Sequence, residues 1–111
     1  LGTKMRCIDP KPRIDIDKLP IQIDRRVLSL DDVAQIATLS AGDILFVDSS
    51  HILQPDFDVD IILNRIMPRL APGILVHFHD IFLPFPYPAS WKGYRFNEQN
   101  GLISWLLSGA V

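Results

Sequence analysis

The sequence predicts an α/β domain, with parallel strands at its centre and helices packed against them. Two observations carry this. The runs "ILFV" at 44–47 and "ILVHF" at 74–78 are close to continuously apolar rather than alternating, the pattern of strands covered on both faces. Around them, apolar residues recur at helical spacing, so the chain reads strand, helix, strand, helix, strand, the order of a parallel sheet with crossover helices.

Each element has its own signal. "MRCID" at 5–9 is a short run bounded by Gly2 and by "PKP", which suits a brief strand ending in an acid. "IQIDRRVLSL" alternates weakly and reads as a further strand. Ser29 with Asp32 resembles a capping box, and Leu30, Val33, Ala34 and Ala37 follow at helical spacing until Gly42, predicting a helix over 30–39. "DILFVD" at 43–48 is the first buried strand. Val59, Ile62, Leu63, Ile66, Met67 and Leu70 then form an apolar stripe, with Asp58 and Asp60 at its start and Arg65 and Arg69 at its end, as the helix dipole favours. Pro68 and Pro72-Gly73 end that helix, and "ILVHFH" is the second buried strand. A last helix is expected from about Asn97, with Leu102, Ile103, Leu106 and Leu107 on one face.

Composition narrows the function classes. The 111 residues suffice for one domain with a modest core, and 48% hydrophobic with 22% charged residues is ordinary for a globular chain. A net charge of -2 offers no basic face to nucleic acid or an anionic membrane, and no apolar run approaches the ~20 residues of a bilayer span. The single cysteine, Cys7, has no internal partner; it reads as a small buried hydrophobe and fits a cytoplasmic protein. The chain opens on Leu1 and meets a strand-like run within a few residues, so an excerpt of something longer is expected.

In open parallel sheets, ligands bind outside the carboxyl ends of the strands. Those ends carry Asp9 after "MRCI", Asp48 after "ILFV", and His79-Asp80 after "ILVHF", so three acids are expected along one rim. Side chains two apart on a strand share a face, which puts His77 with His79 and turns Phe78 and Asp80 the other way. A His-x-His pair is one route to zinc, whereas His77, deeper in the strand, reads more simply as a histidine bonded within the core. Ser49 and Ser50 read as turn formers and caps, since no triad is visible around them. The loop "FLPFPYPASW" reads as a proline-stiffened connection whose aromatics pack on the sheet, in preference to a lid over a substrate.

"CIDPKPR", "GDILFVDSSHIL", "MPRLAPGILVHFHDIFLPFPYP" and "FNEQNGLISWLL" together resemble the class I S-adenosylmethionine-dependent methyltransferases of the methyltransferase-24 type, over nearly the whole chain. The Asp-Ser-Ser-His turn and the His-Asp-Ile-Phe-Leu-Pro segment are its specific parts. The resemblance implies a Rossmann-like, three-layer, mostly parallel sheet, of which residues 1–111 supply the second strand to just past the fifth. It implies that Asp9 binds the ribose hydroxyls of S-adenosylmethionine. It places Asp48 beside the methyl donor, as a cofactor-binding residue and as a metal ligand or base, with His51 sharing the work of the base. Relatives with two acids at the end of the fifth strand bind a divalent cation there. With His79 and Asp80 in that place, the expected ligands are Asp48, His79 and Asp80, and the exchange of a carboxylate for an imidazole disfavours magnesium relative to manganese or zinc, or leaves no metal at all.

The family's glycine-rich turn after its first strand does not occur in this sequence, nor does that strand, which family topology places between the second and fourth; the strands that follow the fifth are missing too. The expected activity is therefore that of a parent enzyme methylating an oxygen of a small molecule or sugar, with this stretch alone inactive and a weak binder of the cofactor. Two other readings stand beside it: a zinc hydrolase using His77, His79 and an acid, and a non-catalytic module that completes its sheet with another chain. The expected partner is a small-molecule methyl acceptor, with neither nucleic acid nor membrane, and there is room for a homo-oligomer.

Overall fold

The computed structural model describes residues 2–109; Leu1, Ala110 and Val111, the ends of the 1–111 span, lie outside it. The chain forms an α/β fold in the order β1 (Arg6–Ile8), β2 (Gln22–Asp24), α1 (Val33–Ile36), β3 (Ile44–Val47), α2 (Asp58–Ile61), β4 (Leu75–Phe78) and α3 (Glu98–Leu107). The strands pair in parallel, β3 and β4 through the helical crossover that follows β3, but they do not make one sheet. β1 pairs with β2, from Arg6 opposite Gln22 to Ile8 opposite Asp24, and β3 pairs with β4, from Ile44 opposite Leu75 to Val47 opposite Phe78.

The helices are less regular than their apolar stripes suggest. The segment expected as a helix over 30–39 is a 3₁₀ turn, Leu30–Asp32, leading into a single turn of α1. Its end tightens because Thr38 and Leu39 donate to the carbonyls of Gln35 and Ile36, three residues back. The stripe from Val59 to Leu70 is helical throughout Asp58–Arg69, but α2 widens into a π turn at Ile62–Ile66 and closes as a 3₁₀ turn at Met67–Arg69. Pro68 has no N–H for the Asn64 carbonyl, so the regular ladder cannot pass through it.

The core lies between this irregular helix and the β3–β4 pair. Val47, Ile61, Ile62 and Ile66 form one buried cluster, against which Leu45, Val76 and Phe78 pack from the strands and Val33 and Ile36 from α1. Val59, Leu63 and Leu102 form a second, joined by Leu53, Phe78 and Trp105, which seats α3. Gly101 sets the depth of that seat: a Cβ there would lie 2.6 Å from Leu63 Cδ1 and 3.1 Å from Leu53 Cδ2. The expectation that β3 and β4 are covered on both faces is corrected. Their inner residues pack on the helices, while Ile44, Phe46 and Leu75 on the outer face are 65%, 60% and 62% exposed, because no described element packs over that side. The last helix is also corrected. Leu106 and Leu107 are exposed, and the buried face runs instead through Glu98, Gln99 and Leu102, polar residues being tolerated there because each has a hydrogen-bond partner.

β1, β2 and the start of α1 are tied by charge. Arg6 bridges to Asp24 at 2.6 Å, and Arg26 makes a two-point contact with Asp32 at 2.8 and 2.6 Å. Asp32 is buried and also accepts the Ser29 N–H at 2.9 Å, one half of the capping box. The Arg26 guanidinium foremost, then the Ser29 N–H and hydroxyl, hold the Asp32 carboxyl far below the usual carboxylate range against the opposing cost of burial. A carboxyl lowered by folding stabilises the fold above its unfolded value of about 3.9, and that contribution fades as pH falls toward the folded value. The urea midpoint is thus expected to drop between about pH 4 and pH 2, and Asp32→Asn to flatten that part of the profile while weakening the fold at neutral pH. Urea titrations of both proteins across this range check it.

Cys7 is half-buried at the centre of β1, and burial, with the charge of Asp9 behind it, pushes its thiol up, away from the reactive thiolate. Among the described residues, no helix is long and apolar enough to cross a membrane.

Candidate active site at the ends of β3 and β4

Asp48 follows β3 directly, and the chain then turns sharply through Ser49 and Ser50 to His51. Ser49 Oγ accepts the His51 N–H at 2.9 Å, and Ser50 donates from its N–H and its hydroxyl to the Asp58 carboxylate at 2.7 and 2.6 Å, so both serines build the turn, as expected, while neither caps α2, whose N-cap is Phe57. His51 is buried and adopts a left-handed backbone at φ 60, an uncommon state for a residue with a Cβ. The first turn of α3 holds it there. The His51 carbonyl accepts the N–H groups of Asn97 and Glu98 at 2.9 and 3.1 Å, and Asn97 pairs through its amide with the backbone of Leu53, accepting at 2.6 Å and donating at 3.3 Å.

The imidazole lies between acids. Its Nδ1 is 2.7 Å from Glu98 Oε2, while Nε2 faces Asp48 Oδ1 at 3.7 Å and Asp80 Oδ2 at 3.8 Å. Phe96 meets the ring edge-on, with centroids 5.0 Å apart. Asp80 reaches this point through a second left-handed backbone, φ 56. Strict alternation along β4 would turn its carboxylate away from His79. The strand instead ends at Phe78 and the turn brings the two together, with His79 Nε2 3.6 Å from Asp80 Oδ1. One ligand atom each from Asp48, His79 and Asp80 lies within 4.8 Å of the others, the separation that a cation held by all three would span.

Four of the residues singled out from the sequence, Asp48, His51, His79 and Asp80, thus converge. Two do not. Asp9 ends β1 in the other strand pair, where its N–H donates to the Asp24 carbonyl and its Oδ1 accepts the Lys11 N–H at 2.7 Å; no described hydrogen bond or ion pair joins it to the cluster. His77 does share a face with His79, but it is exposed rather than bonded within the core, its ring stacked on Phe46 at 4.7 Å. The reason is the uncovered outer face of the sheet.

Sequence reasoning missed Glu98 and Tyr87. Glu98 is 1% exposed and its second oxygen, Oε1, has no hydrogen-bond partner. Its only signal was its place in the first turn of a helix, where an acid needs no further reason to stand. Burial pushes the Tyr87 phenol up, with the charges of Glu98 and Asp80 adding to it, so its hydroxyl belongs to the same electrostatic neighbourhood. Tyr87 and Trp91 each meet Phe96 edge to face beside His51 and, with Lys92 and Arg95, the three line a shallow cavity of about 300 Å³. Comparison with protein-family models, with curated proteins and with solved structures gives no match.

Proposed function

We infer that this chain is the central part of a class I S-adenosylmethionine-dependent methyltransferase domain, resembling the methyltransferase-24 type, whose parent moves a methyl group to an oxygen of a small molecule or sugar. The observation that carries the reading is the convergence of Asp48, His51 and Asp80 at the carboxyl ends of adjacent parallel strands, two of them held in left-handed backbone. Such conformations cost of order 1–3 kcal/mol each and persist where surrounding structure enforces them, as the Asn97 and Glu98 contacts do at His51.

The strand pairing supports the Rossmann-like part of the reading. In the family order, β1 and β2 are the second and third strands and β3 and β4 the fourth and fifth, with the first strand between β1 and β3. The pairs observed are those this order leaves when that strand is not in place. The exposed apolar side chains of Ile44, Phe46 and Leu75 are what a three-layer fold would cover with its second helix layer.

The residues present suit part of the cofactor. Asp9 is partly exposed and keeps Oδ2 and a lone pair of Oδ1 for a vicinal diol, which would hold the ribose of S-adenosylmethionine. When bound, that cofactor supplies an electrophilic methyl group on a sulfonium. At the rim, His51 Nε2 would take the proton of an acceptor hydroxyl, and the carboxylates of Asp48 and Asp80 would favour the charge it gains. Asp48, His79 and Asp80 suit a divalent cation of the manganese or zinc type, which would acidify the acceptor hydroxyl. The zinc hydrolase reading loses ground, since His77 stacks on Phe46 instead of joining the cluster.

Calorimetry with S-adenosylmethionine tests the reading. The 111-residue chain is expected to bind weakly, and an extended chain that supplies a glycine-rich cofactor turn and completes the sheet to bind at least about 100-fold more tightly, a gain of about 2.7 kcal/mol. Tight binding by the short chain, or none by the extended one, overturns it.

A further inference from the structure

We propose that Glu98 is a positioning residue that fixes the tautomer of His51, holding the proton on Nδ1 so that Nε2 presents its lone pair to the rim. A nitrogen and an oxygen 2.7 Å apart share a proton, since two lone pairs at that distance repel. Ser49 Oγ, the other group near Nδ1, stands at 3.5 Å, a far weaker contact, while Glu98 Oε1 has no partner and the side chain is sealed from water, so His51 is the one described side chain that compensates this buried acceptor. The opposite side of the ring differs in kind. Asp48 and Asp80 stand 3.7 and 3.8 Å from Nε2, beyond hydrogen-bond reach, and their side chains are 54% and 36% exposed. A proton on Nε2 is therefore held by screened charge alone, whereas the one on Nδ1 sits in a short bond at low dielectric. The neutral ring therefore keeps its proton on Nδ1.

The rest of the local structure serves the same end. The carbonyl of His51 is bonded to the N–H of Glu98 itself, so the residue that orients the ring also anchors the strained backbone beneath it. Phe96 closes the ring edge, and Gly101, one turn along α3, lets the helix approach closely enough for the carboxylate to reach. The role of Nε2 as a base rests on the methyltransferase reading; the tautomer does not.

Long-range proton–nitrogen correlation spectra of the ¹⁵N-labelled chain decide it, with His77→Asn and His79→Asn used to assign the three imidazoles. In the neutral rings, His51 is expected as the Nδ1–H tautomer, and the exposed His77 and His79 as the Nε2–H form that free histidine favours. Glu98→Ala should move His51 to the Nε2–H form; Glu98→Gln, which preserves shape and can either accept or donate, should leave a mixture. A wild-type His51 in the Nε2–H form overturns the proposal whether or not the variants fold. So does a folded Glu98→Ala with the tautomer unchanged. The function is read separately by the cofactor calorimetry: an Nδ1–H tautomer with no cofactor binding by the extended chain sinks the methyltransferase and leaves Glu98 its role, and binding with an Nε2–H ring does the reverse.

Discussion

Manganese(II) added to the ¹⁵N-labelled chain is expected to broaden the ring resonances of His79 and the backbone signals of Asp48 and Asp80 before any others. The reason is donor geometry. Asp48, His79 and Asp80 bring two carboxylates and an imidazole within 4.8 Å of one another, and all three retain exposure, so a cation can enter without dismantling the core. His51 should broaden with them, because its Nε2 lies 3.7 Å from Asp48 and 3.8 Å from Asp80, but its Nδ1 is engaged with Glu98 and its contribution is to the surroundings of the ion. Replacing both Asp48 and Asp80 by Asn keeps the shapes and removes the charges. Since even groups behind the ligands are worth 10- to 100-fold in metal affinity, loss of two ligands should weaken binding by more than about 100-fold. Magnesium, which requires a near-octahedral set of oxygens, should compete poorly with manganese, and zinc should compete well. Broadening that centres on Asp56, Asp58 and Asp60 at the start of α2, or that survives the double substitution, would show that the rim is an acidic surface and not a metal site.

The rim was legible for a physical reason. Residues that end a buried strand must leave the sheet together, so "ILFVD" and "ILVHFHD" place Asp48 and His79-Asp80 side by side once the strands are paired, and pairing follows from their apolar sequences. Whether two strand pairs join is a different matter, because it depends on a hydrogen-bonding edge that no side chain encodes. Asp9 suffered from this: its local reading as the acid at a strand end holds, while the sheet that was to bring it to the cluster is split, since β1 and β3 belong to separate pairs. Covering was misjudged likewise. Ile44, Phe46 and Leu75 have the composition of buried residues, and the layer that would bury them is not among the described elements. Glu98 was invisible for the opposite reason. A glutamate on a buried helix face is accounted for only by its partner, and the partner lies 47 positions away across a left-handed turn whose backbone the sequence "DSSH" does not announce. The polar first turn of α3 also misled the reading of that helix, since Glu98 and Gln99 occupy the buried face that an apolar stripe would have marked.

Leu63→Ala is expected to cost about 3 kcal/mol of stability, and its coupling to Gly101 tests how α3 is seated. Leu63 is 1% exposed and lies at the centre of the cluster formed with Val59 and Leu102, so its truncation removes transferred area and leaves a cavity that neighbours fill only in part. Gly101→Ala acts on the same space from the other side. A Cβ there meets Leu63 Cδ1 at 2.6 Å, and because Leu63 is enclosed, the methyl cannot swing away without disturbing its neighbours. The helix gains about 1 kcal/mol in propensity from the alanine but loses about 1–3 kcal/mol to overpacking, and the net should be destabilising. In the double variant the new methyl occupies room that Leu63 vacated, so the two costs should fall short of their sum by about 1 kcal/mol or more. Urea denaturation of the four proteins measures this directly. Strict additivity would mean that α3 does not rest on Leu63 and that the contact between Glu98 and His51, which that seating fixes, is formed some other way.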